Sequence, residues 1–206
     1  MSEQNRESRT GQTSRIRRAM PILIVGLLCI VAAILVYAHP WQHKHTSAED
    51  TNWNLTLVGS NGEQRVLSLS EIKAMKTSQG QGGFFTTTGI INGPYDVTGV
   101  SIQDLCDLVG GIGALDVVLV SATDGYSAAF DYNEVEGAIP TYDPITMKEV
   151  PHEDLRLILM YEQDGKPLSY DDGKPLRLAI AGDDRLLTEG FRWVKWVDRI
   201  EVVPQD

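Results

Sequence analysis

Few residues in this 206-residue chain have the types and spacing that chemistry requires. Three of the four histidines, His39, His43 and His45, fall within seven residues, and neutral imidazoles at such spacing are zinc or copper ligands. No carboxylate or thiolate completes the set at a fixed interval, and Pro40 interrupts regular structure, so the segment reads as a polar linker and no metal set is assigned. The fourth histidine, His152, lies between Pro151 and Glu153 with no nucleophile beside it in the sequence. Cys106 falls on an apolar helical stripe and reads as core; the other cysteine, Cys29, lies in a long apolar run. There is no GxSxG, no P-loop, no HExxH, no CxxC and no Gly-rich dinucleotide fingerprint after a strand.

Charge narrows the classes further. The formal net charge is −10, the wrong sign for a protein that grips nucleic acid by its phosphates. It is unevenly spread: residues 1–38 hold five arginines and two glutamates, a net of +3, which leaves −13 on the remainder. Between Ala19 and Ala38 there is no charge at all. Twenty helical residues span about 30 Å, the hydrocarbon thickness of a bilayer. A cleaved signal peptide ending at Val36-Tyr37-Ala38 and a lipoprotein anchor on Cys29 are alternatives. The apolar core is longer than a signal peptide's, and Leu28 occupies a position where a lipoprotein needs a small residue. The reading adopted is an uncleaved transmembrane helix over 19–38. Arg15, Arg17 and Arg18 hold the tail 1–18 in the cytoplasm, residues 39–52 form a juxtamembrane linker, and a domain over 53–204 lies outside the cell membrane.

Within that domain, Trp53–Val58 alternates and ends in a turn cluster, predicting a strand with a return over Gln64–Leu67. Ser68 and Glu71 have capping-box spacing, and Ser101 and Asp104 have cap chemistry ahead of Ile102, Leu105, Cys106 and Val109, predicting two short helices. Residues 78–83 read as a flexible loop and Phe84–Ile91 as β-prone. Val117–Val120 reads as a strand buried on both faces, Tyr126–Tyr132 as the next strand, and 137–153 as a surface excursion. Leu155, Leu157, Leu159 and Tyr161 alternate strictly, and Leu176–Ala181 and Arg199–Val203 complete the strands. Seven or eight strands with two or three helices gathered early make an α+β domain, a compact mixed β-sheet unit with short helices. Asp164-Gly165-Lys166-Pro167-Leu168 recurs eight residues later as Asp172-Gly173-Lys174-Pro175-Leu176, two Asp-Gly turns.

The order of several segments resembles the oxidoreductase molybdopterin-binding domain of the sulfite oxidase family, in its bacterial methionine-sulfoxide-reductase-like branch. They are Leu67–Ile72, Thr98–Leu105, Ser121–Tyr126, the two Asp-Gly-Lys-Pro-Leu segments with Arg177-Leu178, Gly190-Phe191, Val194–Val197 and Arg199–Val202. The resemblance implies that family's fold around a cofactor cleft. It implies that Arg177 is the arginine of the cofactor-holding Gly-x-Pro-φ-Arg motif, φ being apolar. Asp172 matches a cofactor-binding asparagine, and Gly190-Phe191-Arg192 matches a Gly-Phe-Lys loop. The family's molybdenum-ligating cysteine lies about twelve residues before the glycine matching Gly99, which lands on Thr87; residues 77–100 contain no cysteine. A threonine hydroxyl is a hard, protonated donor and a poor substitute for a thiolate.

Two functional classes follow. One is a binding or interaction module that keeps the fold without the Cys-ligated metal and holds molybdopterin weakly or not at all. The other is a molybdopterin-dependent oxidoreductase with an atypical metal site, or one completed by a membrane or extracytoplasmic redox partner. On either reading Thr87 and Arg177 are expected to face one depression, with Arg192 near its rim.

Overall fold

The computed structural model describes residues 52–152 and 154–205. The tail, the 19–38 segment and the histidine-bearing linker to residue 51 lie outside the described residues. Among the described residues no helix is long and apolar enough to cross a membrane.

The elements follow in the order β1 (Asn54–Val58), β2 (Gln64–Ser68), α1 (Leu69–Ala74), β3 (Ser78–Phe85), β4 (Ile91–Ser101), α2 (Ile102–Asp107), β5 (Val117–Ala122), β6 (Ser127–Asp131), α3 (Tyr132–Val135), β7 (Thr141–Tyr142) and β8 (Glu149–Val150). They continue with β9 (Arg156–Gln163), β10 (Lys166–Pro167), β11 (Arg177–Ala181), β12 (Leu187–Glu189), a 3-10 turn (Gly190–Arg192) and β13 (Val197–Val203). This is a mixed β-sheet domain with a few short helices. One sheet has the order β2-β1-β13-β5-β6. The other runs β10-β9-β4-β3-β12-β7-β8, with β11 also on β9. Among the described residues only β1 with β13 and β3 with β12 pair in parallel; the other pairs are antiparallel. Gln81 bridges Gly182 just beyond β11, so β3, β4, β9 and β11 curl until the last meets the first.

Both expected caps form. Ser68 and Glu71 bond reciprocally at the start of α1, and Ser101 Oγ accepts from the N–H groups of Gln103 and Asp104 at the start of α2. Each satisfies backbone donors that so short a helix leaves open. The helices then put Ile72, Ile102, Leu105 and Cys106 into the core shared with Leu55, Leu57, Val118, Val120 and Leu159.

Several expectations are corrected. Residues 78–83 are not a loop but most of β3. A Cβ on Gly82 would stand 2.2 Å from the Ile180 carbonyl oxygen and one on Gly80 would stand 2.9 Å from that of Gly182, so the glycines let two strands approach. The β-prone stretch after Phe85 is a turn, closed by the Thr86 and Ile90 backbones at 2.9 Å. Val117–Ala122 buries one face only, because Val118, Val120 and Ala122 point inward and their neighbours do not. By contrast β9, whose sequence alternates, is buried at every position from Leu157 to Tyr161, since β4 and β11 flank it. Tyr132 opens α3, where Asp131 and Glu134 form a second capping box that the sequence reading missed. The 137–153 excursion holds the β7–β8 hairpin, which joins the larger sheet through β12.

Candidate functional site

An open depression of about 370 Å³ lies where the β3–β4 turn, the start of β11 and the segment after β12 converge. Its lining includes Phe84, Thr86, Asn92, Asp124, Tyr126 and Arg177, with Gly190, Trp193, Lys195 and Trp196 from the C-terminal segment.

Arg177 is the first residue of β11 and is only 3% exposed. Its guanidinium lies over two rings, 4.7 Å from the centre of Phe84 and 5.2 Å from that of Trp193. Those rings pack on each other at 5.1 Å, and Trp193 is fixed by its Nε1–H donating to Thr188 Oγ1 at 2.9 Å. Arg177 Nη1 reaches the Asp172 carbonyl at 3.4 Å, while Nε is buried and has no hydrogen-bond partner. Burial pushes the Arg177 pKa down to about 10, opposed by Asp172 and Tyr95. The Lys195 ammonium donates to the Asp171 carbonyl and lies 5.9 Å from the Trp196 ring centre. Its pKa is lowered first by burial and then by the like charge of Arg177. Among the described residues neither cation is ion-paired with a carboxylate.

The other expected site residues are placed differently. Thr87 is exposed on the turn after β3, and Thr86 is the threonine that lines the depression. Thr86 Oγ1 accepts the Ile90 N–H at 3.0 Å, which fixes the turn and leaves Thr87 at its tip. Gly190 lines the depression, and a Cβ there would meet the Phe85 carbonyl oxygen at 2.8 Å. Arg192 is not on the floor. Its Nη1 is paired with Glu134 and its Nε lies 3.6 Å from Glu189, so its charge is already engaged. Phe191 is exposed, with Arg192 over its ring at 4.8 Å. The Asp172 carboxylate accepts from Ser169 Oγ at 2.5 Å and makes no ion pair with Arg177; only the Asp172 carbonyl touches the guanidinium. Lys195, Trp193, Trp196 and Tyr126 were missed as site residues, although all but Trp193 stand in segments that carried the resemblance.

The sequence model of the oxidoreductase molybdopterin binding domain matches residues 42–206. The chain belongs to that family. A curated sulfite oxidase from Arabidopsis thaliana is 29% identical over 116 residues, covering 52% of this chain and 26% of that protein. Among solved structures, the sulfane dehydrogenase SoxCD from Paracoccus pantotrophus shares the fold with a TM-score of 0.58 at 16% identity, over 76% of this chain and 39% of that one. The chain thus matches only about a quarter of the curated relative's length.

Membership implies molybdopterin, and the depression fits that group in part. An unpartnered buried guanidinium edge, a nearby ammonium and flat aromatic walls suit a phosphate and a planar ring. A soft metal ligand is another matter. Cys106, the only cysteine among the described residues, is buried in the core on α2, with its thiol pushed up to about 12 by desolvation and by Asp107. No group of three or more His, Cys, Asp or Glu suited to a metal occurs among the described residues. Among the described residues, the lining of the depression suits an organic anion and includes no thiolate.

Proposed function

We propose that this chain is a membrane-anchored, extracytoplasmic member of the molybdopterin-binding domain family that works as a binding module and not through a Cys-ligated molybdenum. The observation that carries this reading is the composition of the depression: two cations with no ion-paired carboxylate among the described residues and an aromatic wall, with Thr86 and no thiolate among its lining residues. In a redox enzyme of this family the cofactor supplies the oxygen- and electron-transfer chemistry. Here Arg177 and Lys195 would hold the phosphate of such a group and the rings of Phe84, Trp193 and Trp196 would flank it, with molybdopterin bound weakly or not at all. The anchor rests on the uncharged run 19–38 and its arginine flank.

The deciding experiment is molybdenum and pterin analysis of the full-length chain, purified in detergent from cells able to make the cofactor. Far less than one molybdenum per chain is expected. Stoichiometric metal would instead support the oxidoreductase reading, with the metal site completed by the pterin or by a partner protein. Protease added to intact spheroplasts is expected to digest 39–206, and protection of that portion would remove the topological part of the proposal.

A further inference from the structure

Two positive charges on one side of the depression have no carboxylate bonded to either among the described residues, in a chain whose net charge is −10. The Arg177 Nε–H is buried and donates to nothing. A guanidinium donates in parallel along its Nε–Nη edge, and that fork matches the two oxygens of a carboxylate or phosphate. The lining also contains Asp124, whose carboxylate accepts the Tyr126 N–H at 2.9 Å and keeps further acceptor capacity. It opposes a bare anion and favours a ligand that carries N–H donors close to its anionic end.

The mouth has its own character. Tyr126 is 45% exposed, Tyr170 66% and Phe191 52%, and half-buried Trp196 joins them. They form two pairs, each held by a side chain donating to its neighbour's backbone. Tyr126 Oη donates to the Phe191 carbonyl at 2.6 Å, Trp196 Nε1 donates to the Tyr170 carbonyl at 3.1 Å, and the Tyr170 and Trp196 rings lie 5.5 Å apart. The ion pairs of Arg192 with Glu134 and Glu189 brace the Phe191 corner. Scattered exposed aromatics need no explanation, but two such pairs, one through Tyr126 and one through Trp196 of the lining, make an aromatic collar beside the cations with the composition of a protein-binding hot spot.

We propose that the depression captures the free C-terminal carboxylate of a partner polypeptide, whose last residues lie across the aromatic collar. The carboxylate seats on Arg177 and Lys195, and backbone N–H groups behind it donate to Asp124. A chain end enters with one strand, whereas an internal Asp or Glu must bring two flanking strands past the collar. A free inorganic anion satisfies the cations but leaves Asp124 opposed and the collar exposed. This occupant rests on the preceding reading of the depression as free of a Cys-ligated metal.

The test immobilises the full-length chain in detergent at physiological salt. It offers three peptide pools randomised over the last four positions: free C-terminal acids, C-terminal amides, and amides carrying an internal Asp or Glu. The free acids are expected to be retained at least tenfold over both amide pools, and Lys195→Met is expected to weaken that retention several-fold. Arg177→Met is expected to abolish it with the far-UV spectrum unchanged. If that variant does not fold, Lys195→Met and the acid-to-amide ratio still decide. Equal retention of acids and amides, no retention, or retention of the internally acidic amides at the level of the free acids overturns the proposal. Molybdenum is measured in the same preparation. Stoichiometric metal counts against the underlying reading, whereas a metal-free protein that ignores the free acids counts against this inference alone.

Discussion

Arg177 and Arg192 stand fifteen positions apart, on the floor and beside the rim of one depression, and the protein treats them oppositely. Arg192 keeps its guanidinium between two carboxylates, Glu134 and Glu189, at the edge of the solvent. Arg177 is buried deeper, between two rings, and has a backbone carbonyl where a counter-charge would be expected. A paired and partly solvated arginine is structural by default; a desolvated one without an ion pair is held at a cost. The difference singles out the floor as the place where an anion would gain most.

The comparison can be broken first at the shared wall. Trp193→Ala should destabilise the domain by about 3–5 kcal/mol in denaturant unfolding, because it removes a buried indole that packs on Phe84 and supports Arg177. Next come the two arginines themselves. Arg192→Met leaves Glu134 and Glu189 partly buried without their cation and is expected to cost about 1–3 kcal/mol. Arg177→Met removes a buried charge with no ion pair and is expected to leave stability level or raised by about 1 kcal/mol. Equal losses in the two variants would erase the distinction.

Cys106 supplies a buried group that stays neutral. Cys106→Ala should cost about 1–2 kcal/mol. The thiol ionises near its ordinary value of 9 in the unfolded chain and at about 12 in the fold. Between those values the folded state binds more protons, so this group's stabilisation is lost as pH rises through the window. Unfolding titrations should show that slope in the parent and lose it in Cys106→Ala.

The smallest stability change, under about 1 kcal/mol, is expected for Thr86→Cys and Thr87→Cys. Their thiols should nonetheless differ. At position 86 the thiol shares the depression with Arg177 and Lys195, so its labelling should begin at lower pH than at exposed position 87. Identical labelling profiles would place Thr86 outside the field of the floor.

What the sequence made legible was local and polar. Ser68 with Glu71 and Ser101 ahead of Ile102 announced their helices because a cap is a contact between near neighbours. The capping box at Asp131 was hidden by a strand pattern running into it. At the site, the motif singled out Arg177, and the structure places that residue in the lining of the depression. Thr87 came from a count along the chain, which cannot see that Thr86 is the threonine of the turn lining the depression. Lys195 was passed over because its relevance lies in Arg177, eighteen residues earlier, and no spacing rule joins a lysine in an irregular segment to a desolvated arginine at the start of a strand.

The glycines of β3 reach further than the strand they belong to. The segment Ser78–Gly83 has the composition of a linker, yet Gly80, Gln81 and Gly82 sit against the backbone of Ile180–Gly182, at the end of the strand that Arg177 opens and just beyond it. Phe84 continues β3 directly into the ring beneath that guanidinium. Each missing side chain is therefore a spacer of zero thickness. Adding a methyl at Gly82 would wedge β3 away from β11 and so widen the gap between ring and cation a few residues along. Six residues that look interchangeable in composition thus set the tolerance to which the floor of the depression is machined.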